Sequence, residues 1–296
     1  MIEIKEVARN TYLLHCGEVP VYSMPQVAYL IVDDVSVLIE PGCTAAASSL
    51  FDQSSRLGVD LDRVSYIIPT HIHIDHGGGA GFLARRLPGA KVVLHPKGAR
   101  NMVDPARLIQ ATRMVFGENC EDHFGPILPV PEAQIHEASD GEVIHLGKRD
   151  LSIHFSPGHA SHHISIYDRL TNGLFCGEAL GFPADAGSGV LLPAGVPPFD
   201  PEIYVESIDK LAKLSPDVLF FSHIEPRDNA CDLIRKVRET TVAFTDIIGR
   251  AVEAGEDDGT ILGRLSEHVN SISPGTEMPS FEMTLSGYID FFRNRK

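Results

Sequence analysis

Long apolar runs are missing from this chain of 296 residues. The longest, Val27 to Val32, falls far short of the ~18–20 residues a helix needs to cross a bilayer. A helical membrane protein is therefore excluded. The start of the chain, Met1 to Asn10, alternates charged and apolar side chains where a secretory leader needs an unbroken apolar core, so no targeting segment is expected. Cations are scarce as well. Lys and Arg total 25 against 40 Asp and Glu, a formal net charge of −15. Such a field repels phosphate backbones and anionic lipid headgroups, and no local basic patch offsets it. Neither nucleic acid nor a membrane is an expected partner. Cysteine is sparse: Cys16, Cys43, Cys120, Cys176 and Cys231 are odd in number, scattered and without a CxxC pair. That is no disulfide framework, and it suits a reducing, cytoplasmic location.

What is present is an ordinary globular composition, with 43% hydrophobic and 22% charged residues. Disorder, collagen and coiled coil are excluded for the chain as a whole. The first third reads as short β-branched strands, at Ile2 to Lys5, Thr11 to Leu14, Ala28 to Val32 and Val35 to Glu40, with Asp33-Asp34 as a hairpin turn. Ala46, Leu50 and Leu57 then recur at a helical period. Val64 to Pro69 is again strand-like. Ala80 to Leu87 reads as a helix, Lys91 to Leu94 as a strand, and Pro105 to Phe116 as a helix with proline in its first turn. Residues 117–142 read as a long loop over one face.

A second set of short strands follows at Val143 to Leu146, Leu151 to Phe155, Ile164 to Tyr167 and Leu174 to Cys176. Residues 181–201 hold five prolines and four glycines and read as irregular, the kind of long loop that often carries function. A helix over 201–214 and a buried strand at Val218 to Ser222 come next. The tail is helical: Leu233, Ile234, Val237, Phe244, Ile248 and Val252 share one face, and Phe281, Leu285, Ile289 and Phe292 another.

The histidines carry the chemistry. In Thr70-His71-Ile72-His73-Ile74-Asp75-His76, alternation along an extended segment points His71, His73 and Asp75 one way and the isoleucines the other. A turn at Asp75-His76 swings His76 back to the same cavity, and Gly77-Gly78-Gly79 permits that turn and the start of a helix. Three imidazoles and a carboxylate so placed suit zinc, iron or manganese. A polar loop with merely solvated histidines does not explain four donors interleaved with isoleucines. Three further segments deliver single donors at strand ends: His159 after Ser156-Pro157-Gly158, Glu178 after Phe175-Cys176-Gly177, and His223 after Phe220-Phe221-Ser222.

This order, HxHxDH, then PGH, then a strand-end acid and a strand-end histidine, resembles the metallo-β-lactamase-fold superfamily, over most of residues 10–225. The stretch PGHASHHIS, Pro157 to Ser165, resembles a branch of poorly characterised hydrolases in it. The resemblance implies an α/β fold, a four-layer αββα sandwich. It also implies a metal-binding domain over 1–225 and a C-terminal helical extension over 226–296, packed on that domain. It implies two divalent metal ions, zinc first and iron or manganese as alternatives. One takes His71, His73 and His159, the other Asp75, His76 and His223, with Glu178 bridging.

Two acids depart from the family pattern. The bridging residue is usually Asp and here is Glu178, and the usual Leu-Ile-Asp-Pro-Gly turn is here Leu38-Ile39-Glu40-Pro41-Gly42. Each change adds one methylene, and the longer bridge is expected to weaken one of the two sites.

The implied activity is a metal-dependent hydrolase using a metal-bound hydroxide on an ester, thioester, lactone or phosphoester, with a small-molecule substrate and the option of a homo-oligomer. Two cations lower the pKa of a bridging water from about 15.7 towards about 7 and polarise the scissile carbonyl or phosphoryl group. Asp75 is the expected catalytic residue, orienting the nucleophile and passing a proton to the leaving group. The alternative is a non-haem iron protein doing oxygen or sulfur chemistry. His73 argues for hydrolysis, since the diiron redox members of the resembled family usually carry Glu there. Single-iron persulfide oxidisers keep the full motif, and Glu178 leans towards iron. A metal-stabilised binding module fits less well, because every ligand position carries a competent residue.

His162 and His163 read as surface residues or as supports behind the ligands. His123, Tyr22 and Tyr29 are candidates for substrate contact, although a structural role fits each better. Cys176 reads as a small buried apolar group and not a nucleophile. His15, His95, His136, His145, His154 and His268 read as structural.

Overall fold

A computed structural model describes residues 4–19, 24–59, 61–183, 190–275 and 281–294. The chain begins with β1 (Lys5–Ala8), β2 (Thr11–Val19), β3 (Met24–Ile31) and β4 (Ser36–Ile39), followed by α1 (Thr44–Arg56), β5 (Val64–Ile68) and the single turn α2 (Ile74–Gly77). Next come α3 (Ala80–Arg86), β6 (Lys91–Leu94), α4 (Pro96–Val103), α5 (Ala106–Phe116), the short α6 (Glu121–Phe124) and β7 (Ile135–Glu137). The second half holds β8 (Val143–His145), β9 (Asp150–Phe155), β10 (Ile164–Asp168), β11 (Gly173–Phe175), β12 (Phe182–Pro183) and β13 (Leu191–Leu192). It closes with α7 (Pro201–Ala212), β14 (Val218–Phe220), β15 (Arg227–Asp228), α8 (Ala230–Glu253), α9 (Asp258–Ile272) and α10 (Phe281–Asn294).

Two compact units result. One comprises the described residues up to Phe155 together with His162–Gly177 and Val218–Arg227. The other comprises Ser156–Ser161, Glu178–Asp217 and the described residues from Asp228 onward.

The first unit is built on two sheets. In one, β1 to β7 lie in sequence order, antiparallel from β1 to β4 and parallel from β4 to β7. In the other the order is β15-β14-β11-β10-β9-β8, with β11 and β14 parallel. Strand alternation assigns each side chain a face. Leu13, Tyr29 and Ile31 point into a core shared with Ile153, Ile166, Phe175 and Phe220 of the second sheet. Their neighbours Leu14, Ala28 and Leu30 point the other way, into a core with Leu50 of α1, Leu83 of α3 and Met102 of α4. The first sheet is thus buried on both faces, which is why its strands read as nearly continuous apolar runs. Near the β8–β9 turn, Arg149 and Asp168 form a buried ion pair at 2.6 Å.

The second unit is mostly helical. Asp200 caps α7 through the N–H groups of Glu202 and Ile203, and Pro201 occupies the first helical position. Ile234, Val237, Phe244 and Ile248 bury the expected face of α8. Ile261, Leu265 and Val269 do the same for α9, a helix whose separate existence the sequence reading did not mark.

Two expectations need correction. Residues 117–142 are not one loop. They contain α6, which buries Phe124, and β7, which extends the parallel sheet beside β6. The strands of the first hairpin are longer than β-branching suggested, because β2 runs on through His15-Cys16-Gly17-Glu18 to Val19. Tyr29 takes the structural role that fitted it better. It is fully buried, and its hydroxyl donates to the Phe221 carbonyl at 2.6 Å. Tyr22 lies outside the described residues. No helix among the described residues is long and apolar enough to cross a membrane.

Candidate metal centre

The donor-rich segment leaves the end of β5. Ile72 and Ile74 anchor it in the helix-side core, which sends His71 and His73 to the other side as alternation predicts. His71 Nε2 and His73 Nδ1 approach to 2.9 Å. Asp75 and His76 are not on the same extended stretch. They lie on α2, so a helical turn and not strand alternation brings them back towards the centre.

Asp75, His76 and His223 converge within this unit, each offering a ligand atom within 4.8 Å of the others. Nε2 of His76 and Nε2 of His223 are 3.3 Å apart, and Asp75 Oδ2 lies 3.6 Å from both. Both imidazoles are fixed from behind. His76 Nδ1 faces Glu40 Oε2 at 2.9 Å, and His223 Nδ1 faces the Pro25 carbonyl at 3.0 Å. A carboxylate and a carbonyl only accept, so each Nδ1 carries the proton and donates. A neutral imidazole has one donor and one acceptor, which leaves each Nε2 a lone pair. With both rings neutral, two lone pairs and a carboxylate oxygen therefore meet. That arrangement is relieved by a proton or by a metal ion among the three atoms, and an acceptor behind Nδ1 is the usual way proteins prepare histidine ligands.

The second unit repeats this logic. His159 Nδ1 donates to the Ala194 carbonyl at 2.8 Å, and His159 Nε2 stands 2.7 Å from Glu178 Oε2. Gly158 makes the approach possible. Its φ is +133°, and a Cβ there would sit 2.4 Å from Tyr204 Cα. Tyr204, its hydroxyl pKa pushed up by burial, donates to the Glu178 carbonyl at 2.8 Å. Ser207 donates to the Pro157 carbonyl at 2.6 Å, so α7 holds both donor-bearing segments of this unit.

The remaining candidates divide. His163 is no surface residue: it is buried, its ring stacked on His71 with centroids 5.0 Å apart. His162 is half-buried, 5.9 Å from the His73 ring by centroids. His123 is exposed on α6. Cys176 is buried, as expected, and its thiol donates to the Phe220 carbonyl at 3.5 Å.

Sequence reasoning missed three supports. Glu40, noted only as a departure from a motif, orients His76 and accepts the Thr70 N–H at 3.3 Å. Thr70 Oγ1 lies 3.1 Å from His71 Nδ1. Gln26 reaches the Asp75 backbone. For Glu40 the signal was available in its place before Pro41-Gly42. For Gln26 there was none.

Residues 22–223 match the family model of the metallo-beta-lactamase superfamily, and the chain belongs to that superfamily. A metallo-beta-lactamase fold-containing protein of Sulfurisphaera tokodaii is 27% identical over 220 residues, covering 73% of this chain and 78% of that protein. A hydroxyacylglutathione hydrolase of Legionella pneumophila is 30% identical over 149 residues, 50% of this chain and 44% of that enzyme. The fold is shared with a metallo-beta-lactamase family protein of Thermus thermophilus at 21% identity and a TM-score of 0.69, covering 96% of this chain and 93% of that one. The α/β sandwich expected from the motifs is thereby established.

Proposed function

We propose that the protein is a metal-dependent hydrolase with two divalent ions, zinc first among them, acting on a small ester, thioester, lactone or phosphoester. In this reading Asp75, His76 and His223 would hold one ion and His71, His73 and His159 the other, with Glu178 as a carboxylate that both would share. The observation that carries the proposal is the oxygen acceptor placed behind Nδ1 of each of three imidazoles. His76, His223 and His159 each donate from Nδ1 to an oxygen acceptor and so present an Nε2 lone pair. The likeness to proteins named hydroxyacylglutathione hydrolase supports hydrolysis.

Divalent ions supply Lewis acidity, lowering the pKa of a water towards about 7 and polarising the bond to be cleaved. The chain supplies orientation. Asp75, whose side chain retains 21% of its surface exposed, orients the attacking water and returns a proton to the leaving group through its carboxylate. His163, stacked behind His71, and Glu40, behind His76, keep those rings from rotating.

A panel of activated esters, thioesters, lactones and phosphodiesters, assayed before and after dialysis against a chelator, tests this. Turnover of at least one class should vanish with chelation, return with zinc, and be absent in His71→Ala. Turnover indifferent to chelation, or a His71→Ala variant at the wild-type rate, contradicts the proposal.

A further inference from the structure

The end of β3 touches two donors of the same set from adjacent residues. The Pro25 carbonyl accepts the His223 Nδ1–H at 3.0 Å, and the Gln26 side chain donates from Nε2 to the Asp75 carbonyl at 3.1 Å. The second contact replaces a bond that the backbone does not make. In a continuing helix the Gly79 N–H would bond the Asp75 carbonyl, four residues back. Here the Gly79 N–H donates instead to the Gly42 carbonyl at 2.7 Å. The chain turns from α2 towards α3 at that point, and the Asp75 carbonyl is given to a side chain from 49 residues away.

The amide of Gln26 is itself oriented. Its Oε1 accepts from the Cys43 thiol at 3.6 Å, while its Nε2 serves Asp75. Only a group with one acceptor and one donor arm satisfies both partners. Gln26 is 3% exposed, so water does not stand in for it. Burial raises the Cys43 pKa, which keeps the thiol a donor.

We infer that Gln26 is a positioning residue for the ion held by Asp75, His76 and His223, with Cys43 fixing the direction of its amide. Pro25 and Gln26 together form a bracket that sets His223 against Asp75. The inference rests on the metal-hydrolase reading above. It assigns control of one ion and not the other to a side chain that ligates neither.

The test is a cobalt(II) titration of the metal-free full-length protein, reading stoichiometry and visible absorption, with thermal melting alongside. Wild type takes up two ions. Gln26→Glu keeps the size but turns an acceptor towards the Asp75 carbonyl, and Gln26→Met removes both arms. Each should weaken one ion by about 10- to 100-fold, the usual scale for outer supports of a ligand, and leave the absorption of the other unchanged. Cys43→Ser keeps a donor to the amide and should titrate as wild type does. If the Gln26 variants titrate as wild type, or if both ions weaken together with a lower melting temperature, the positioning role is overturned and the hydrolase reading stands. If wild type takes up no ion, both fall.

Discussion

Glu40 Oε2 lies 2.9 Å from His76 Nδ1, and Glu40 holds that place from a left-handed backbone, with φ +58°. A non-glycine residue in that region costs about 1–3 kcal/mol. The conformation is held from three sides. The Glu40 N–H donates to the Ile68 carbonyl at 3.1 Å, the Thr70 N–H donates to its carboxylate, and His76 donates to the other oxygen. The Glu40 carboxylate therefore reaches His76 and Thr70 at once.

Glu40→Gln should weaken the ion at His76 by about 10-fold or more, because the amide is a poorer acceptor for the Nδ1–H and leaves Nε2 less basic. Thermal stability of the metal-free protein should change far less. Isothermal titration with zinc on both proteins measures this, and equal affinities would remove Glu40 from the support of His76.

Removing the metal should lower the melting temperature. The converging acceptors repel once no cation lies among them, and a ligand at 100 times its Kd stabilises by about 2.7 kcal/mol. A chelator titration followed by zinc return, with calorimetry at each stage, should show a fall and a recovery. A melting temperature unmoved by the chelator contradicts this.

Glu178→Asp shortens the side chain by one methylene. The change draws the carboxylate back from His159 Nε2, now 2.7 Å away. It should alter the affinity of one ion selectively. If Glu178→Ala and wild type titrate identically, Glu178 is not a ligand.

Acid should destabilise the protein through His95. This residue caps α4, its Nδ1 accepting the Lys97 N–H at 3.0 Å, which requires a neutral ring. Burial lowers its pKa, and the charge of Lys97 pushes the same way. The folded value thus lies below the unfolded value of about 6.5. The stability contributed is complete above about pH 6.5 and is lost as pH falls through the folded value. His95→Asn keeps an oxygen cap without the titration. Urea unfolding between pH 5 and 8 should show a steeper acid loss for wild type than for His95→Asn, and parallel curves would count against the assignment.

The buried pair of Arg149 and Asp168 should carry stability and not activity. Its side chains are 1% and 0% exposed, and the guanidinium also donates to Thr11 and to the Arg9 carbonyl. Asp168→Ala leaves the cation unpaired and should cost about 3–5 kcal/mol, while zinc affinity stays near wild type. A loss of metal with no loss of stability would reverse that reading.

The candidate donors stood out because metal chemistry confines them to few types at short spacings, as in His71 to His76. Their strand-end placement followed from the apolar runs before His159, Glu178 and His223. The turn that carries Asp75 was not legible as a helix, since four residues show no period. Gln26 and Glu40 were hidden for a different reason. Each acts on a partner 49 or 36 residues away through one hydrogen bond, and pattern within a window does not register such a contact.

The most direct test of the account is anomalous diffraction from crystals of the zinc-loaded protein, measured on both sides of the zinc edge. The account predicts a strong anomalous peak among His76 Nε2, His223 Nε2 and Asp75 Oδ2, and a second peak beside His71 Nε2 and His73 Nδ1. A map with no anomalous density between His76 and His223 would contradict it.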